Sequence, residues 1–432
     1  MGDATQKRPS LGEAAALWWR IGVLSFGGPA AQIALMQKAL VEERGWLTEQ
    51  QFLNALSFCM LLPGPEAMQL ATYAGWRQHG IAGGLIAGLL FVLPGAAVIM
   101  ALAATYASFG TVPLVEALFY GIKAAVLVIV AEALLRLSRK ALLSRTHYGI
   151  AVLAFISIFF LAIPYPLILL AAALIGTLTL DAGQNAAQEP GQPVAFVRTM
   201  RTIITWLAIW FAPFLALFAL GTPEILIDIG LFFSTLAAVG FGGAYAVLAY
   251  MSQDAVAGFN WLTAREMIDA LALAETTPGP LILVTQFVSF IAGFKEGGIV
   301  LGFTAACVVL WVTFVPCFLW IFAGAPYIAW ISNQPRLRNA LSGITAAVVG
   351  IIFNLSLWFA LHVFFNQVSQ ERFGWLTFWQ PELASIEYLA TALFLVSAFL
   401  AFRYKWGIPM ILVFAALSGA LIRLVMSSAF AI

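Results

Sequence analysis

Charge is scarce in this chain. Of its 432 residues only 9% are Asp, Glu, Lys or Arg, against about a quarter in soluble globular domains. The shortage is concentrated: 38 consecutive residues between Arg77 and Glu116, 35 between Arg145 and Asp181, and 39 between Glu296 and Arg336 carry no charged side chain. A bilayer crossing needs about 20 predominantly apolar residues, so each run holds most of one span or parts of two. Such runs exclude a soluble enzyme and a secreted disulfide scaffold. The net charge of +1 provides no basic field for polyanions, which excludes nucleic acid as a partner. Cysteine is as thin as charge. Cys59, Cys307 and Cys317 lie singly in apolar runs and read as buried free thiols. His79, His147 and His362 are far apart, and the chain contains no H-E-x-x-H, no phosphate-binding G-x-x-x-x-G-K-[ST] and no clustered Cys/His ligands. Metal and cofactor sites are therefore not expected, and an intramembrane hydrolase or an ATP-driven pump finds no support.

What the chain has in quantity is apolar surface, 62% of residues, together with 36 glycines and 19 prolines. Apolar runs read against charge and Pro/Gly punctuation predict an all-α, polytopic integral membrane protein. The candidate helices are thirteen: 11–42, 48–79, 81–108, 112–137, 146–162, 165–181, 200–220, 224–257, 263–294, 297–324, 336–364, 385–403 and 406–430. The polar opening MGDATQKRPS runs into the first of them without an A-x-A-like cleavage site, so the N-terminus is expected to be mature protein. Asp181 to Val197, rich in Gly, Gln, Pro and Ala, reads as a linker. Trp18, Trp19, Trp46, Trp261, Trp375 and Trp379 at run edges suit interfacial belts. With the N-terminus inside, fourteen Lys and Arg fall on the cytoplasmic side and four, Lys38, Arg44, Lys295 and Arg372, outside. Cytoplasmic loops carry the excess of basic residues, so the expected location is a bacterial inner membrane with a cytoplasmic N-terminus and an odd number of crossings.

The chain also repeats itself. Residues 26–65 align without gaps with 241–280 at an offset of 215, and 15 of the 40 pairs are identical. Phe26-Gly27-Gly28 matches Phe241-Gly242-Gly243, Trp46-Leu47-Thr48 matches Trp261-Leu262-Thr263, and Pro63-Gly64-Pro65 matches Pro278-Gly279-Pro280. This divides the chain into a first membrane repeat (1–181), a linker with a connecting helix (182–223) and a second repeat (224–432). The connecting helix adds one crossing, so the repeats are expected to run in opposite directions, as in many transporters. Duplication that merely enlarges a bundle is the plain alternative.

Proline at 63, 65, 278 and 280 removes backbone donors and forbids continuous helix. In lipid, broken helices persist only where protein or a water-filled cavity surrounds the freed backbone. Matching breaks therefore point to a central cavity, with Pro63, Gly64, Pro65, Pro278, Gly279 and Pro280 lining it. The helices that follow begin with N–H groups lacking intrahelical acceptors and a positive dipole end, which favours anions. Gly27, Gly28, Gly242 and Gly243 read either as weaker breaks or as close-packing glycines. Thr48 with Gln51 and Thr263 with Glu266 match capping boxes and fix where the helices entering the two breaks start.

Ionisable residues at membrane depth are functional candidates by default. Arg20 is placed either to fork onto an oxyanion or to snorkel to the surface. Lys123 lies centrally in 112–137 with Glu116 and Glu132, as an internal ion pair or a substrate ligand. Glu66 and Glu275 flank the two breaks, either as proton- or cation-coupling groups or as carboxylates that satisfy nearby N–H groups. Gln69, Asn54 and Asp269 are further cavity liners, the last two at equivalent repeat positions.

The twice-repeated FGG, W-L-T and PGP blocks resemble the chromate transporter family, in particular its long two-domain members. The match reads FGGPAAQIALM at 26–36 and LLPGPEAMQLATYAGW at 61–76. The second half departs from it, with Ala244 in place of Pro29 and Leu281 in place of Glu66. The resemblance implies export of chromate from the bacterial cytoplasm, with sulfate as the similar oxyanion. It implies no enzyme activity. The expected partners are chromate or sulfate, the lipid bilayer and, as candidate homodimer, a second copy. Uptake of an oxyanion coupled to protons or cations is the alternative.

Overall fold

The computed structural model describes residues 9–110, 112–180, 196–241, 243–328 and 334–429. The fold class is the expected one: fifteen α-helices among the described residues, with one β-hairpin. The linker up to residue 195 and Gly242 lie outside the described residues.

The first repeated stretch runs α1 (Leu11–Leu24), α2 (Gly28–Gln37), a π-helical turn (Lys38–Glu43), α3 (Glu49–Cys59) and α4 (Glu66–Phe109). α5 (Pro113–Ala141), α6 (Arg145–Phe159) and α7 (Tyr165–Thr179) follow, then the connecting helix α8 (Phe196–Ala219). The second stretch repeats the order: α9 (Glu224–Val239), α10 (Ala244–Gln253), a π-helical turn (Asp254–Gly258), α11 (Ala264–Thr276) and α12 (Val284–Gly324). α13 (Pro335–Phe364), α14 (Tyr388–Tyr404) and α15 (Ile408–Ala429) complete the chain.

Two expected helices are divided. The run 11–42 breaks between Leu24 and Gly28, and 224–257 breaks between Val239 and Ala244. The reason is backbone conformation rather than packing: Gly27 and Gly28 have φ of 85° and 74°, and a Cβ on Gly28 would meet nothing within 4 Å. Conversely, α4 and α12 are each hairpins rather than single rods. His79–Gly80 and Gly297–Gly298 leave helical geometry, with φ of 63° at Gly80 and 74° at Gly298. Positive φ costs glycine little, which is why it marks these corners. The legs close tightly enough that a Cβ on Gly75 would strike the Gly83 carbonyl, and one on Gly293 would stand 2.8 Å from that of Leu301. Both capping boxes are present: Gln51 N–H and Glu266 N–H each donate to their threonine hydroxyl at 3.2 Å.

Residues 365–384 fall between the predicted helices 336–364 and 385–403. There, antiparallel strands Val368–Phe373 and Leu376–Pro381 turn at Gly374, φ 63°. Trp18, expected at an interface, is 1% exposed and part of the core.

Helices pack into two compact units that do not follow the sequence halves. The first takes residues 1–103, 183–247 and 277–337, and the second takes 104–182, 248–276 and 338–432. In the first, Trp206 of α8 stacks on Phe318 of α12 with ring centroids 5.7 Å apart, and Gly84 and Gly88 admit the rings of Phe322 and Phe318. In the second, α5 and α15 meet at Gly121, where a Cβ would overlap the Ala415 carbonyl. Such small-residue contacts replace the hydrophobic drive that is absent between helices in lipid.

Candidate functional site

All four break regions come together within the first unit. Gly64 N–H donates to the Gly240 carbonyl at 3.0 Å, and Gly279 N–H donates to the Ser25 carbonyl at 2.9 Å. The two bonds are equivalent under the 215-residue offset, so each prolyl-glycyl-prolyl break is tied to the end of the helix preceding the FGG block of the other repeat. These glycines adopt φ of 109° and 94°, which side chains rarely tolerate. The flanking prolines explain why the exchange is needed. With helical bonding cut at the break, the backbone groups must find partners elsewhere.

Buried glutamines complete the arrangement. Gln32 Nε2 donates to the Gly279 carbonyl at 2.6 Å and to that of Ser25 at 3.2 Å. Gln69 Nε2 donates to the Pro63 carbonyl at 2.7 Å, and Gln286 Nε2 to that of Ala96 at 3.0 Å. The Oε1 atoms of Gln32 and Gln286 are buried without a hydrogen-bond partner. A small cavity of about 10 Å³ lies between Pro29, Gln32, Pro65, Glu66, Gly243 and Pro280. A Cβ on Gly243 would stand 3.2 Å from a Glu66 carboxylate oxygen, so this carboxylate faces the second FGG block. The volume suits about one water, so the chain is closed around its breaks.

The other candidates fall elsewhere. Arg20 is exposed and lines a separate cleft of about 90 Å³ with Lys38 and Glu43. Glu275 is 7% exposed and belongs to the second unit, as does Lys123. The ion pairs also differ from expectation. Lys123 faces Asp269 at 4.0 Å, while Glu116 pairs with Arg265 at 3.2 Å and Glu132 with Arg136 at 2.6 Å. Asn54 is half-buried and accepts from Gln50 at 2.9 Å. Sequence reasoning missed Gln32 and Gln286. Gln32 had a signal, since it is a polar residue six positions after Phe26 in an apolar stretch.

Long apolar helices interrupted at matching places, with the interruptions pooled in one buried cluster, define a multi-pass membrane protein of transporter type. Among the described residues, five helical segments are long and apolar enough to cross a membrane. The family profile "Chromate transporter" matches residues 12–177 and 227–420, and the chain belongs to that family. A probable chromate transport protein of Synechococcus elongatus is 32% identical over 339 residues, covering 77% of this chain and 80% of the relative. The chromate transport proteins of Cupriavidus metallidurans and Pseudomonas aeruginosa are each 29% identical, covering 77% and 93% of this chain and 78% and 90% of theirs. No solved structure matches significantly.

Proposed function

We propose that this chain is a transporter, not an enzyme, and that it exports chromate from the cytoplasm of a bacterial cell across the inner membrane, driven at least partly by the membrane potential. The observation that carries the reading is the crossed pair of glycine hydrogen bonds, which holds four helix breaks around one cavity. The proposed oxyanion site has Gly27, Gly28, Pro63–Pro65, Gly243 and Pro278–Pro280 as its walls, and its donors are glycine N–H groups and the side-chain amides of Gln32 and Gln69, released when the breaks part. Arg20 stands outside the cavity as an entry cation. The two repeats, taken as inverted with a cytoplasmic N-terminus, alternate the access of this cavity.

The energetics favour the outward direction. A dianion leaving a negative-inside cell gains about 4.6 kcal/mol per 100 mV, twice the value for one charge. At 1.4 kcal/mol per decade this sustains a concentration ratio of roughly 10³. Uptake of sulfate or another oxyanion coupled to a proton or cation is the second reading. It is favoured by the Glu66 carboxylate at the cavity, which repels a dianion unless protonated. Labelled chromate and sulfate flux in everted vesicles separates the two. Export predicts chromate accumulation that collapses with the potential; no accumulation, together with release of preloaded label that requires a proton gradient, would replace it with the second reading.

A further inference from the structure

The second unit holds ionisable groups that the proposed oxyanion site does not use. Asp269, on α11, is 2% exposed. Its Oδ2 accepts a hydrogen bond from the Tyr106 hydroxyl at 2.8 Å. Its Oδ1 has no hydrogen-bond partner and faces Lys123 Nζ, on α5, at 4.0 Å. The surrounding charges are engaged with other groups. Arg265 pairs with Glu116 at 3.2 Å, and the Glu266 carboxylate accepts from the Thr263 backbone at 2.7 Å. The Arg423 guanidinium lies 4.5 Å over the ring of Tyr120, whose hydroxyl donates to Glu387 at 2.8 Å.

A charge pair kept in an apolar interior for rigidity needs tight geometry and a partner on every oxygen to offset its desolvation. This pair has neither: the separation exceeds a hydrogen bond, and one carboxylate oxygen is left open toward the ammonium. Such a gap suits a proton that comes and goes, accepted at Asp269 Oδ1 or released from Lys123 Nζ, with only O–H and N–H bonds formed or broken. Asp269 also stands nine residues before Pro278, on the helix that leads into the second break. Its repeat mate is Asn54, which cannot titrate, so the duplication supplies no second copy of this device.

We propose that Asp269 and Lys123 form a proton-exchange site, with Tyr106 as a positioning residue, that couples oxyanion movement to proton movement; this rests on the transport reading above. The test uses the full chain in proteoliposomes with labelled chromate and an internal pH-sensitive dye. Wild type is expected to move protons with chromate. Asp269→Asn retains chromate flux, while proton movement per chromate falls at least tenfold and the pH dependence of flux flattens. Because Asp269→Asn leaves the Lys123 ammonium without a counter-charge, the neutral pair Asp269→Asn/Lys123→Gln supplies the same readout in a background without a buried lone charge. Tyr106→Phe keeps both charges and displaces the pH midpoint of flux. Proton movement at the wild-type ratio in either Asp269 variant, an unmoved midpoint in Tyr106→Phe, or wild-type chromate flux without protons overturns the coupling site while leaving transport standing. Wild-type vesicles that pass no chromate overturn the transport reading itself.

Discussion

Replacing Gly64 by alanine tests whether the break is held by backbone geometry. At φ of 109° an L side chain is strained, and holding a non-glycine residue in a sparsely populated region costs about 1–3 kcal/mol. The new Cβ would also stand 3.2 Å from both Cys317 Sγ and Gln69 Nε2. The Gln69 amide cannot retreat freely, because it donates to the Pro63 carbonyl at 2.7 Å. Adding a modest overpacking penalty gives a total of about 2–4 kcal/mol. If that strain is relieved by distorting the site, flux falls by roughly 10- to 10³-fold at 1.4 kcal/mol per decade. Gly28→Ala is the internal control: its φ is 74° with nothing within 4 Å of the added methyl, so it carries only the conformational cost of about 1–2 kcal/mol. The assay is thermal unfolding in detergent, monitored by monodispersity, alongside chromate flux in vesicles. Gly64→Ala that melts and transports like wild type would refute the claim that a positive-φ glycine pins the break.

Three further outcomes are expected. Gly95→Ala has no φ strain, yet its methyl would overlap the Pro278 carbonyl and stand 2.8 Å from Leu283 Cδ1; it should cost about 1–3 kcal/mol through overpacking, read as a lowered melting temperature with reduced flux. Glu66→Gln removes the carboxylate at the cavity, so apparent affinity for chromate should rise about tenfold, one decade per 1.4 kcal/mol; unchanged half-saturation would place the anion elsewhere. Thr48→Ala and Thr263→Ala each delete a cap hydroxyl seen at 3.2 Å from the N3 amide, and each should lower stability by about 0.5–2 kcal/mol while leaving substrate selectivity intact, checked by melting and competition flux.

How much of this was legible in the sequence depends on the range of the interaction. Punctuation by Pro63, Pro65, Pro278 and Pro280 is local, because a missing N–H and a locked φ act wherever the residue stands. The corner at Gly80 and the capping boxes are equally local. The force of Phe26-Gly27-Gly28 was not legible, since a glycine pair serves close packing and positive φ alike, and only the empty space around Gly28 decides between them. Partners distant in the chain were hidden altogether. Lys123 and Asp269 lie 146 positions apart, and helical periodicity offered Lys123 the nearer Glu116 and Glu132 instead. The hairpin at 368–381 was missed because its mixed polar and aromatic sequence fits neither a span nor a repeating pattern.

The two repeats share one framework but divide its chemistry. Both give a prolyl-glycyl-prolyl break and a glycine pair, and both give one of the crossed backbone bonds, so the framework needs the duplication. The polar side chains that border the cavity come from the first repeat: Gln32 and Glu66 stand there where the second repeat has Val247 and Leu281 at the equivalent positions. Pro29, at the start of α2, likewise has Ala244 as its counterpart. The ionisable member of the other equivalent pair, Asp269 opposite Asn54, lies in the second repeat. A backbone bond requires no particular side chain, which leaves each copy free to lose or keep its polar groups once the crossed bonds are in place. Substitutions at the cavity are therefore expected to act unequally in the two halves at side-chain positions and alike at Gly64 and Gly279.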